Sequence, residues 1–383
     1  MMAPEQIAGW ILDQCVKGAP WSTEDVDQIA GDPALFRVLA EGLSDRFEPA
    51  LVDRYVEIFT YVLAKKLANV PAASLRERYA RIREPREYSG NSEAVRDIYV
   101  LSRITLGADV AITSVILDGL KRRFRNARLW LCGDRKSYQL FESDNRIGYY
   151  PLSYQRGSGL DQILIEKPYW KAGLVVDPDS RITQLGLLPV CPEENYLFFE
   201  SRRAEADSEE TLTQLAQRWV RTTFGVEAKP YLAPKPVRWG AKYVAVSLGT
   251  GGNAEKGLPA AFERELIERL SWGSVPVVVD LGAGGDEAER VQQAVNGLAS
   301  VSTHKGTFAE FASVISQCAH YYGYDSGGSH VAAVTGVPMT AFFKGHVNER
   351  MFQRWKPSGG GNIRVIRIDE PQPDVAKLLA AAF

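Results

Sequence analysis

The stretch Gly323-Tyr-Asp-Ser-Gly-Gly-Ser-His-Val-Ala-Ala-Val-Thr-Gly-Val-Pro338 constrains this chain more than any other. It sets an acid, two hydroxyls, two glycines and a histidine between two apolar runs, Ala319–Tyr324 and Val337–Phe343. The runs read as buried strands and the Ala/Val segment between them as a helix. The polar cluster then lies at the carboxyl end of a strand and opens a helix, the place where open α/β sheets bind ligands. A helix start built of small residues leaves backbone N–H groups free, and these suit phosphate. The stretch is therefore a candidate nucleotide or sugar-phosphate site.

A chain of 383 residues exceeds one ordinary core and predicts two or three domains. A net charge of −2 gives no reason to expect a nucleic-acid partner. No apolar run reaches the roughly 18 residues that span a bilayer, and no basic stretch followed by an apolar segment marks a secretory signal. The four cysteines, Cys15, Cys132, Cys191 and Cys318, lack CxxC spacing. Together these features predict a reducing, cytoplasmic setting without a zinc or redox motif.

Residues 1–92 read as helical. Leu35, Val38, Leu39 and Leu43 recur at helical spacing, as do Val52, Tyr55, Val56, Phe59 and Val62. From Asp97 the pattern changes to strands alternating with helices. Strands are predicted at 98–104, 127–132, 162–165, 173–176 and 196–199, with helices at 109–123 and 208–222. Alternation of this kind predicts a mainly parallel sheet. The proline-rich segment Ala228–Pro236 reads as a stiff linker. A second series follows, with strands at 243–247, 277–281, 321–324, 339–343 and 363–368. Helices are predicted at 259–270, 286–298, 308–317 and 374–382. The expected plan is α/β: two Rossmann-like domains, 93–232 and 233–383, facing across a cleft, with an added all-helical domain over 1–92.

Several residue groups could carry chemistry. In Ser247-Leu-Gly-Thr-Gly-Gly-Asn-Ala-Glu-Lys-Gly-Leu-Pro259 a strand ends in a glycine-rich loop, then Lys256. Amides from Thr250, Gly251 and Gly252 can approach an anion closely. The plainer reading is a surface loop with a solvated lysine. Asp325 and Ser326 can cap the helix while the Gly327 and Gly328 amides stay free, with His330 either at a ligand or hydrogen-bonded in the core. Asp109, after the loop Thr105–Ala108, reads as a helix cap or as a general base at the cleft mouth. Asp177-Pro-Asp179 has the form of a metal-diphosphate motif, but Pro178 favours a turn. The basic run Lys121–Arg128 reads as a solvated helix end or as a contact for an anionic membrane surface. The histidines lack ligand-like spacing, so no metal is assigned.

These motifs resemble the heptosyltransferases, glycosyltransferase family 9, over roughly residues 97–383. Gly323–Ala333 is similar to that family's Asn/Asp-Ser/Thr-Gly-x-x-His-x-Ala-Ala stretch. Glu255-Lys-Gly-Leu-Pro259 is similar to its Lys-x-Trp-Pro loop, with Leu258 in place of the tryptophan. Leu106-Gly-Ala-Asp-Val110 resembles its Gly-Asp-Val loop, with Ala108 for the glycine. Phe343-Lys-Gly345 replaces Phe-Gly-Pro and introduces Lys344. The first ~95 residues match nothing in the core family.

The resemblance implies a GT-B fold and an inverting, metal-independent transfer without a cofactor. The sugar, heptose or similar, would pass from a nucleotide-sugar donor, ADP-linked, to a glycan, lipid or protein hydroxyl, as in lipopolysaccharide or glycan assembly. It assigns Ser247, Asp325, Ser326, Gly327 and His330 to the nucleotide sugar, Lys256 with the Thr250–Gly252 amides to phosphate, and Glu287 to the ribose. Asp109 becomes the base. Two alternatives stand beside it: a nucleotide-sugar epimerase or hydrolase, and a non-catalytic scaffold.

Overall fold

The computed structural model describes residues 2–67, 70–154, 168–204, 208–240, 242–282 and 284–383. The strand expected at 162–165 lies outside these residues. The chain begins with the helices Pro4–Val16, Thr23–Ile29, Glu41–Ser44, Pro49–Lys66 and Ala72–Ile82. Proline at the first helical position starts the long Pro49–Lys66 helix, where its missing N–H forfeits nothing.

Two wholly parallel sheets follow. The first has strands β1 (Asp97–Leu101), β2 (Arg128–Gly133), β3 (Ile147–Pro151), β4 (Leu174–Asp177) and β5 (Tyr196–Phe198), in the order β3-β2-β1-β4-β5. The second has β6 (Val244–Ser247), β7 (Val277–Asp280), β8 (Val301–His304), β9 (His320–Tyr324), β10 (Met339–Phe343) and β11 (Ile363–Arg367), in the order β11-β10-β9-β6-β7-β8. Fully buried strands such as β10 suit a parallel sheet covered on both faces.

The order reverses between β1 and β4 in the first sheet, and between β6 and β9 in the second. A crevice opens outside the carboxyl ends at such a reversal. In the second sheet the two loops that border it are those after Ser247 and after Tyr324, the glycine-rich stretches singled out in the sequence.

The period of two along each strand divides the first sheet between two cores. Ile98, Val100, Leu129, Leu131, Val176 and Leu197 face one core. The helices Ser114–Arg123 and Leu212–Phe224 lie on that side. Leu101, Cys132, Val175, Tyr196 and Phe198 face another, shared with Ile11, Leu35, Leu39, Tyr55, Phe59 and Leu63 of the N-terminal helices. Those helices thus share a core with the first sheet instead of burying one of their own. Their docking is also polar: Arg78 donates to the Gly186 carbonyl at 2.5 Å, and Arg203 meets Asp53 at 2.8 Å.

The structure redraws some expected elements. The first strand stops at Leu101, and Ile104 adopts φ 74°, turning the chain before the helical segment at Leu106. The helix expected from Ser208 starts at Leu212, where Thr211 and Gln214 form a capping box. Strands β3 and β8 and the helices Arg135–Gln139 and Glu349–Trp355 had no counterpart in the sequence reading.

Removing residues 2–83 should strip the cover from Val175, Tyr196 and Phe198. The fragment 84–383 is expected to be insoluble or aggregated on size exclusion. A monodisperse fragment with a cooperative melt would contradict the shared core.

Candidate active site

Four loops converge at the crevice of the second sheet. After β6 the chain turns through Gly251 (φ 63°) and Gly252 (φ 83°), a left-handed pair that glycine tolerates without strain. Asn253 then caps the short 3₁₀ turn Ala254–Lys256. Lys256 Nζ donates to the Asp325 carboxylate at 2.7 Å and to the Asp325 carbonyl at 2.9 Å, joining the β6 loop to the β9 loop. An ammonium has three N–H donors, so one remains for a ligand anion.

The helix Gly327–Thr335 starts directly after that pair. Asp325 and Ser326 were expected to cap it, and the structure differs: Ser326 is the N-cap residue, but its side chain makes no capping bond, and Asp325 turns to Lys256. Among the described residues, no side chain thus caps the first-turn amides of Gly327, Gly328 and Ser329. Such a helix start carries partial positive charge and open donors.

Glycine is required here for packing as much as for backbone freedom. A Cβ at Gly323 or Gly328 would lie 2.2 or 2.3 Å from the Tyr321 hydroxyl. Tyr321 is fully buried and forms the floor beneath the loop. Sequence reasoning treated it as strand filling. Phe308 was missed in the same way. A Cβ at Gly327 would lie 2.6 Å from its ring, which places that ring against the helix start.

The other expected residues fall around this centre. Ser247 is buried at the end of β6. Glu287, in the helix Gly285–Val295, accepts the Thr250 N–H at 3.0 Å. Its carboxylate fills the space where Cβ atoms at Gly249 and Gly282 would stand, 3.1 and 2.0 Å away. The departures from the family pattern are accommodated. Leu258 is buried, and its N–H donates to the Tyr324 hydroxyl at 3.3 Å. Lys344 donates to the Gly257 carbonyl at 3.2 Å, steadying the lysine loop.

His330 faces the other half of the molecule. A Cβ at Gly107 would lie 3.2 Å from its Cδ2 and 3.4 Å from the Gly327 Cα, so the loop after β1 closes directly over the helix start. The ring is 5% exposed. Burial, with a further push from Lys256, drives its pKa down to about 4 against the pull of Asp325. The imidazole is neutral at pH 7.

Asp109 is wholly buried in this closed arrangement. Its carboxylate accepts from Ser102 Oγ at 2.6 Å, from the Arg103 N–H at 2.8 Å and from Thr113 Oγ1 at 2.7 Å. It braces the preceding turn instead of capping a helix end. Burial raises its pKa, and those hydrogen bonds offset part of the rise.

The remaining motifs stay apart from this centre. Asp177 accepts from Ser180 N, Thr183 and Tyr196, and Asp179 (φ 68°) pairs with Arg202 at 2.6 Å, so the Asp-Pro-Asp segment is a buried turn. Lys121 and Arg122 pair with Asp144 and Asp118. With Arg125, Val226 and Glu227 they line an open groove of about 540 Å³ that carries both signs of charge. Among the described residues no group of three or more His, Cys, Asp or Glu could hold a metal, and no helix is long and apolar enough to cross a membrane.

The His330 environment predicts a pH dependence with a definite sign. Folding depresses its pKa, so between pH 6.5 and about 4 the unfolded chain binds the extra proton. Stability should fall as pH drops through that window, by on the order of 3 kcal/mol from this group. Urea titrations of the parent and of His330→Gln should show a shallower acid slope in the variant. Equal slopes would contradict the buried, neutral ring.

Residues 192–378 match the family model described as glycosyltransferase family 9 (heptosyltransferase). No curated protein sequence matches the chain. Among solved structures, the Escherichia coli heptosyltransferase WaaC with ADP superposes with a TM-score of 0.53 at 14% identity, covering 74% of this chain and 97% of that one. E. coli ADP-heptose heptosyltransferase II gives 0.51 at 15%, over 74% and 97%. A family 9 glycosyl transferase from Veillonella parvula gives 0.51 at 17%, over 75% and 88%. At such identities the structural likeness speaks for the fold, which is the two-sheet GT-B plan. The family match spans the glycine loops, Lys256, Asp325 and His330, so residues 192–378 carry a glycosyltransferase family 9 (heptosyltransferase) domain.

Proposed function

We propose that the chain transfers a sugar, heptose or a close relative, from an ADP-linked donor to a hydroxyl of a glycan, lipid or protein, with inversion and without a metal. Residues 233–383 form the donor half and residues 93–232 the acceptor half. The observation that carries this reading is the uncapped helix start at Gly327 beside Lys256, placed where the second sheet reverses its strand order. It supplies several N–H dipoles and one cation to a diphosphate, which suits a leaving group whose negative charge grows in the transition state. The solved WaaC structures hold ADP and ADP-2-deoxy-2-fluoro heptose, which favours ADP among nucleotides.

In this reading the Gly327, Gly328, Gly251 and Gly252 amides, Ser326 and Lys256 hold the two phosphates. Ser247 and Thr250 line the phosphate loop, Asp325 and neutral His330 orient the sugar, and Glu287 exchanges the Thr250 amide for the ribose. The acceptor oxygen attacks the anomeric carbon, the carbon–oxygen bond to the diphosphate breaks, and its electron pair leaves on the phosphate. Asp109 takes the acceptor proton. For that, the Ser102 hydroxyl has to release the carboxylate, so proton transfer is tied to movement of the turn 102–105. Burial raises the pKa of this carboxylate and the Ser102 hydrogen bond lowers it, so losing that bond while water stays excluded makes it the stronger base.

Melting of the chain with ADP, GDP and UDP should show the largest rise with ADP, since a ligand of the native state raises its melting point. Asp109→Asn should keep that rise and lose transfer by about 10²-fold or more. Undiminished transfer would remove Asp109 from the reaction. Free or epimerised sugar formed from donor alone, with no transfer to any acceptor, would favour hydrolysis or epimerisation instead.

A further inference from the structure

The N-terminal helices do more than cover the first sheet. Between the helices Glu41–Ser44 and Pro49–Lys66 the chain turns through Asp45, Arg46, Phe47 and Glu48. Phe47 adopts φ 58° there, a left-handed conformation that disfavours a bulky residue and persists only where the surroundings hold it.

Both halves of the molecule do so. From the first sheet's side, Arg181 donates to Ser44 Oγ at 2.6 Å and to Asp45 at 3.3 Å, and Arg202 reaches Asp45 at 3.4 Å. From the second sheet's side, Asn348 donates to the Arg46 carbonyl at 3.1 Å and to Glu48 at 2.7 Å. Asn348 also caps the helix Glu349–Trp355, accepting the Met351 N–H at 2.8 Å. The turn therefore holds the start of that helix by a pair of hydrogen bonds.

The end of the same helix is held by the Phe47 ring. Phe47 is 1% exposed and stands edge-on to Trp355, with centroids 6.3 Å apart at 77°. Trp355 in turn stands edge-on to His330, at 5.8 Å and 62°. The ring of His330 is thus bounded by Trp355 and by the Gly107 loop.

We infer that Phe47 is a positioning residue of the donor site: the turn Asp45–Glu48 sets Trp355, and Trp355 fixes the ring of His330 against the sugar. The N-terminal helical region is in this sense a third wall of the site. The inference rests on the donor-site reading of His330, but the aromatic relay itself is measurable without turnover.

Phe47→Leu keeps apolar bulk and removes the ring edge, and Phe47→Tyr restores a ring. The chain has four histidines, so His330 can be assigned in a histidine-selective NMR spectrum with His330→Gln. In Phe47→Leu the His330 ring signals should shift while those of His304 and His320 stay in place. Donor KM should rise roughly 2- to 12-fold, the equivalent of one lost edge-to-face ring pair, with kcat changed less. Phe47→Tyr should return both toward the parent values. If Phe47→Leu proves too unstable, Trp355→Phe provides the same comparison. Unmoved His330 signals in a folded Phe47→Leu protein would overturn the inference. So would a lower melting point with donor KM unchanged. A chain inactive on every donor whose His330 signals still respond to Phe47→Leu would retain the relay and count against the function proposed above.

Discussion

Lys256 and Asp325 come from two loops on either side of the strand-order reversal in the second sheet, and their pairing holds the site together. Asp325 is almost wholly withdrawn from water, and its carboxylate would be destabilising there without the ammonium. The pair fixes the lysine at the helix start, and the lysine draws Asp325 away from the role of helix cap. The Gly327–Ser329 amides are left without a side-chain cap as a direct result. Lys344 and Tyr324 hold the lysine loop from behind, through the Gly257 carbonyl and the Leu258 amide. The same interaction thus supplies a cation and leaves the dipoles without a side-chain cap.

The second constraint is the need of a parallel sheet for cover on both faces. In the first sheet the helices Ser114–Arg123 and Leu212–Phe224 lie on one side only. The N-terminal helices fill the other. Once docked there, their 44–48 turn reaches both the arginines after β4 and β5 and the helix that carries Trp355. A layer needed for burial is in this way brought beside the donor site.

Much of this plan was legible in the residues. Apolar runs bounded by glycine and polar clusters gave most strands, and the two glycine loops pointed to the crevice before any topology was known. β8 escaped because Val-Ser-Thr-His is a short edge strand without an apolar run. The Glu349–Trp355 helix escaped because its value lies in contacts with residues some 300 positions earlier, such as Asn348 with Arg46. Tyr321 looked like ordinary filling, since its effect on Gly323 and Gly328 depends on where its hydroxyl ends up. The cap or base alternatives for Asp109 were both local, whereas the fold makes its carboxylate the brace of the turn 102–105. Sequence patterns record periodicity and turn chemistry well, and they record long-range packing poorly.

The central claim is that backbone dipoles and one ammonium grip a diphosphate at Gly327. A crystal structure of the chain with ADP tests it most directly. The account predicts phosphate oxygens within about 3.2 Å of the Gly327 and Gly328 nitrogens and of Lys256 Nζ, with the Lys256–Asp325 pair intact. ADP bound elsewhere, or a helix start still closed by the Phe308 ring with no phosphate against it, would contradict the account.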